Sequence, residues 1–133
     1  MTPVGSTMLN QPTPVVDMAD VERIASRDYP PDVAAQIGEQ IGAPDVREKT
    51  RVVLACLKVA KGGYARLQRA LQDAPGYWRE LLSEAEYPLA TKRWSRMRAL
   101  SEQKRSSIYL RDWKQYVAWL GRETIVSPSQ HDR

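Results

Sequence analysis

The sequence predicts an all-α fold, an irregular bundle of roughly five to seven short helices. Three observations carry that prediction. Apolar residues recur three and four apart along most of the chain, no stretch reads convincingly as a strand, and Pro and Gly cut the sequence into short elements. The clearest element is DVREKTRVVLACLKVAK, from Asp45 to Lys61. At about 100° per residue, Val46, Val52, Val53, Cys56, Leu57, Val59 and Ala60 share one broad arc, and Arg47, Arg51 and Lys58 lie opposite. A buried strand through VVLACL is the competing assignment, because β-branched residues favour extended chain. Charged residues recurring every three or four positions, with no turn signal inside the run, favour the helix.

The other elements follow in chain order. Residues 1–14 mix Pro, Thr, Ser, Gly and Gln without periodicity and predict a flexible arm. Asp17 is a cap for a first helix with Met18, Val21 and Ala25 on one face and Ile24 at its edge. Tyr29-Pro30-Pro31 interrupts it, since consecutive prolines donate no backbone hydrogen bonds and push the preceding residue out of the helical region. Val33, Ile37 and Ile41 then mark a short helix ended by Gly42 as a left-handed terminator. Pro44 and Asp45 open the central helix and Gly62-Gly63 closes it. From Tyr64, a short helix carries Leu67, Ala70 and Leu71 inward with Arg66 and Arg69 outward. Asp73-Ala74-Pro75-Gly76 reads as a turn. The next helix turns Tyr77, Trp78, Leu81, Leu82 and Ala85 inward and Arg79, Glu80, Ser83 and Glu86 outward, and Tyr87-Pro88 closes it. A helix over 91–105 with Trp94, Met97 and Leu100 as its apolar row precedes a last, strongly apolar helix from about Ser107 to Arg122. Residues 123–133 read as a frayed tail, which leaves 15–122 as a single domain.

Composition narrows the function classes. A chain of 133 residues buries roughly two thirds of its unfolded surface without cross-links. Its single cysteine, Cys56, falls on the apolar arc of the central helix and reads as a small core residue. The first residues contain neither a secretory signal nor a membrane span, which predicts a cytoplasmic setting without membrane attachment. Charge is unevenly spread. Residues 1–43 hold six acidic and two basic groups, whereas residues 88–122 hold nine basic and two acidic ones. The two thirds could attract each other, or the basic one could serve an acidic partner.

The stretch DVREKTRVVLACLKVAKGG followed by WRELLSEAEYP resembles a set of short, uncharacterised bacterial proteins. In these a VRE- or VRD-type helix, a Gly-Gly or Gly-Asp turn and an aromatic-Arg helix ending in AEYP occur in that order. The resemblance covers about residues 31–90. It implies an all-α fold of bacterial origin and transfers no catalytic or binding residue.

The sequence carries little that suggests catalysis. His131, in the tail, is the only histidine, so His-based nucleophilic and acid–base schemes lack their usual central residue. No metal-ligand cluster, phosphate loop or cofactor motif is present, and neither a metal nor a cofactor is expected. Glu80 with Glu84 and Glu84 with Glu86 are paired acids, the first of which reads as solvated surface on an outer helical face. Asp112, at the edge of an apolar arc, reads as a partly buried partner for an arginine or for a Trp or Tyr donor.

Two binding functions compete. The first is a non-catalytic protein-interaction module, binding a protein partner or a second copy of itself. Its aromatic anchors are Trp113, Tyr116 and Trp119, with Arg111 and Lys114 at the rim. The second is electrostatic nucleic-acid binding through Arg47, Arg51 and Lys58 and the basic segment 88–122, where KRWSRMR interleaves cations with an aromatic. The dispersed directions of those cations and the scarcity of outward amides and hydroxyls favour the first.

Overall fold

The structure, a computed structural model, describes residues 13–42 and 45–124. Seven helices and no strand occur among them: α1 (Met18–Asp28), α2 (Pro31–Gln40), α3 (Lys49–Ala60), α4 (Tyr64–Glu86), α5 (Pro88–Lys92), α6 (Trp94–Met97) and α7 (Glu102–Leu120). None of them is long and apolar enough to cross a membrane. The all-α expectation therefore holds. The chain divides into two compact units, Val16–Ala85 and Glu86–Arg133, the latter joined by the residues up to Val15.

In the unit Val16–Ala85, α1 packs against α2 and α3. A capping box starts α1: the Asp17 carboxylate accepts from the Asp20 N–H at 3.2 Å, and Asp20 accepts from the Asp17 N–H at 3.0 Å. Asp20 is thereby buried, and Arg23 donates to its other carboxylate oxygen at 2.8 Å. Val21, Ile24 and Ala25 face the core, but Met18 lies outside it, 43% exposed, with its sulfur 3.8 Å from the Thr50 hydroxyl of α3. Tyr29 leaves α1 in an extended conformation and Pro31 opens α2, as the proline pair dictates. Ile37 and Ile41 are buried and Val33 is half-buried. Gly42 follows Ile41 without the left-handed backbone expected of it; the helix closes instead with the Ile41 N–H on the Ile37 carbonyl.

The central helix differs from its expected bounds. Pro44 lies outside the described residues, and Asp45 to Glu48 are not helical. Glu48 sits in the left-handed region, φ 52°, so α3 begins only at Lys49. All six residues of VVLACL are buried and helical. The segment is thus enclosed on nearly every side, which is why its composition resembles that of a buried strand. At its other end Lys61 (φ 51°) and Gly62 (φ 80°) both adopt left-handed backbone. The Gly63 N–H and the Arg66 Nε both donate to the Ala60 carbonyl at 2.9 Å. Arg66, expected to point outward, instead supplies a second donor to that helix-end acceptor.

Helix α4 runs through the expected Asp73–Gly76 turn and breaks later, at Tyr77 (φ −140°, ψ 16°). Pro75 removes one ladder donor and makes the kink there inexpensive. Ala74 stays fully buried, while Tyr77 is turned outward to 48% exposure and Glu86, expected on the surface, is buried. Leu81, Leu82 and Ala85 are buried on the second limb.

In the unit Glu86–Arg133, α5 packs against α6 and α7. Tyr87, Ala90, Met97, Ile108 and Tyr109 form the core, with Leu89 and Leu100 against it. The Tyr87 and Tyr109 rings meet edge to face at 6.2 Å. The continuous helix expected over 91–105 does not form, because Arg93 departs from helical geometry and Ser101 caps a new helix through the Lys104 N–H at 3.2 Å. Arg105 stabilises the intervening turn by donating to the Met97 and Leu100 carbonyls. Helix α7 consequently begins at Glu102 rather than Ser107 and ends on left-handed Gly121.

Candidate functional site

Asp112 is the most deeply placed charged side chain of α7, with no solvent exposure. Its two carboxylate oxygens accept from the Leu89 N–H at 2.9 Å and the Ala90 N–H at 3.0 Å. Those are the unpaired donors at the start of α5, where the helix dipole also favours negative charge. The expected arginine, Trp or Tyr partner is replaced by a backbone terminus. Tyr87 and Pro88 supply no side-chain cap of their own, so the cap comes from a different helix. This pins α5, and with it the α5–α6 segment, onto α7.

The expected aromatic surface of α7 is largely internal. Tyr116 is buried, Trp113 and Trp119 are half-buried, and the Tyr116 and Trp119 rings lie 5.6 Å apart at 42°. Arg111 and Lys114 are exposed, sharing a face with Leu110, which is itself 52% exposed. The helix therefore separates the five residues into an inner aromatic group and an outer cationic one. The Arg47, Arg51 and Lys58 stripe does not assemble either. Arg47 lies in the turn before α3, Arg51 pairs with Glu48 at 3.3 Å, and Lys58 is half-buried.

A different aromatic reaches solvent. Trp94, expected on an apolar row, is 67% exposed, because α6 is a single short turn with only Met97 directed into the core. It forms one wall of a cleft of about 340 Å³ lined also by Met97, Arg98, Arg105 and Tyr109. The signal was present in KRWSRMR, where an aromatic sits among cations, but helical spacing assigned it to the core. Eight of the nine basic residues between Tyr87 and Arg122 are exposed, Arg105 being half-buried. The two acids in the same span are Glu102, which is exposed, and Asp112, which is enclosed in its cap. The surface charge of this segment is therefore overwhelmingly positive.

Elsewhere the chemistry is quiet. Burial pushes the Cys56 thiol up to about 12, with the nearby Asp73 charge adding to the effect. Glu80 and Glu84 are exposed, and His131 lies outside the described residues. No group of three or more His, Cys, Asp or Glu able to hold a metal ion occurs among the described residues. No protein-family model, curated protein or solved structure matches the chain.

Proposed function

We propose that this chain is a non-catalytic, cytoplasmic protein-interaction module whose working surface is the basic segment between Tyr87 and Arg122, and whose partner is an acidic protein. The observation that carries this reading is the segregation of charge. Eight exposed cations share that segment with a single exposed carboxylate, Glu102, on elements held together by a buried core and the Asp112 cap. Such a surface steers an oppositely charged partner and sets its orientation. The exposed ring of Trp94 adds apolar area of the kind that anchors protein contacts.

Electrostatic nucleic-acid binding is the second reading, favoured by the same ring, since a Trp standing among cations also suits base stacking. Titration of the whole chain with labelled polyglutamate and with mixed-sequence single-stranded and duplex DNA, at about 50 and 200 mM salt, separates the two. The expected result is saturable polyglutamate binding at the lower salt that exceeds the binding of either DNA. DNA bound more tightly than polyglutamate, with an affinity that falls steeply between the two salt concentrations, would replace this reading by the second, and silence from every polyanion would remove both.

A further inference from the structure

We infer that the cleft beside Trp94 is an anchor pocket that receives an apolar side chain from an acidic peptide segment of the partner. The inference rests on the protein-interaction reading and specifies its contact. Met97 and Tyr109 supply an apolar floor, being only 4% and 8% exposed, and Trp94 supplies a projecting wall. Arg98 and Arg105 stand at the same cleft. Arg105 spends one terminal nitrogen on the Met97 and Leu100 carbonyls, and this holds its guanidinium in place at the cleft. Its Nε is buried with no hydrogen-bond partner among the described residues. Arg98 is exposed and presents a planar fork suited to a carboxylate.

The chemistry of the occupant follows from that lining. A concave site of about 340 Å³ accepts one large apolar side chain, and flanking guanidinium groups favour carboxylates on either side of it. A single nucleic-acid strand fits less well. Sequence-tolerant strand binding uses successive aromatic platforms, and Trp94 is the one exposed aromatic among the described residues of this unit. A peptide needs only one anchor.

The test uses the full chain and two fluorescein-labelled probes, an oligoglutamate with one central Leu and the same peptide with Ala in its place. Fluorescence anisotropy should show the Leu peptide bound about ten-fold more tightly, as expected for burying a side chain of that size. Trp94→Ala should remove that preference and leave the Ala peptide's affinity unchanged, whereas Trp94→Phe should keep most of it. Arg98→Gln should weaken both peptides several-fold and reduce their salt dependence. Far-UV circular dichroism confirms that each variant is folded. Equal affinity for the two peptides, or a preference that survives Trp94→Ala, would overturn the anchor pocket while leaving the basic surface intact. Mixed-sequence single-stranded DNA displacing the Leu peptide with higher affinity would assign the cleft to nucleic acid instead. Failure of both peptides to bind would overturn the broader reading along with this one.

Discussion

Asp112 and Cys56 show how one buried side chain can be indispensable and another inert. Asp112 satisfies two backbone donors from inside the core, so Asp112→Ala leaves both unpaired in a space that water does not readily reach. We expect a loss of about 2–4 kcal/mol, above that of a typical surface cap, read as a shifted urea midpoint with unchanged slope. A variant within about 0.5 kcal/mol of the parent would show that α5 does not depend on this cap. Cys56, by contrast, is protonated well beyond neutrality. At pH 8 the native thiol should resist a disulfide reagent that titrates it within minutes in urea, since the thiolate is the reacting species. The same shift makes stability pH-dependent. The unfolded thiol, with the ordinary value of 9.0, releases its proton before the native one does, so stability should fall as pH rises from that value towards about 12. Tyr29 acts in the same direction: burial raises its phenol, Asp28 adds to the effect and Arg66 opposes it. Urea midpoints independent of pH across this range would contradict both assignments.

Helix ends decide what the elements look like, and they were the hardest features to anticipate. The Asp17 cap and the Tyr29-Pro30-Pro31 stop depend on neighbouring residues and were legible in the sequence, although the reciprocal bond from Asp20 was not. The breaks at Glu48 and Arg93 were not, because no local signal marks them, whereas the break at Tyr77 falls one residue past the turn that Pro75 and Gly76 announce. Trp94 illustrates the consequence for the site. Its spacing with Met97 and Leu100 implies a core stripe only if one helix spans all three, and α6 ends at Met97, leaving Leu100 in the turn before the Ser101 cap. The end of α3 offers a sharper test. Lys61 and Gly62 both hold positive φ, which costs a side-chain-bearing residue about 1 kcal/mol relative to Gly. Lys61→Gly should therefore be neutral or stabilising, while Gly62→Ala should destabilise by about 1 kcal/mol. Space is not the reason, because an added Cβ at Gly62 would come no closer than 3.8 Å to the Asp28 carbonyl oxygen. Equal effects of the two substitutions in thermal melts would show that backbone conformation does not govern this terminus.

At the scale of the molecule, charge asymmetry was legible from composition, whereas the way distant residues complete a unit was not. The unit Glu86–Arg133 is joined by the stretch up to Val15. Thr124 makes that join: its hydroxyl accepts from the Val15 N–H at 2.8 Å and donates to the Val15 carbonyl at 2.7 Å. Arg122 adds a third bond to the same carbonyl at 3.0 Å. These groups are 109 and 107 positions apart in sequence, and no local pattern announces a pairing across such a distance. Because the bonds are solvent-exposed, their net contribution is modest. Thr124→Val, which preserves shape and removes the hydroxyl, should cost about 1 kcal/mol, and Thr124→Ser should stay within about 0.5 kcal/mol of the parent. The loss should be local as well as global. Amide exchange should accelerate at Gly121 to Thr124 and at Val15 more than at Ile108 to Tyr116, whose amides lie within α7. If Thr124→Val accelerated every amide equally, opening would be global and the tie would not act as a separate clasp. If it changed neither exchange nor stability, the tie to Val15 would contribute nothing to holding this unit closed.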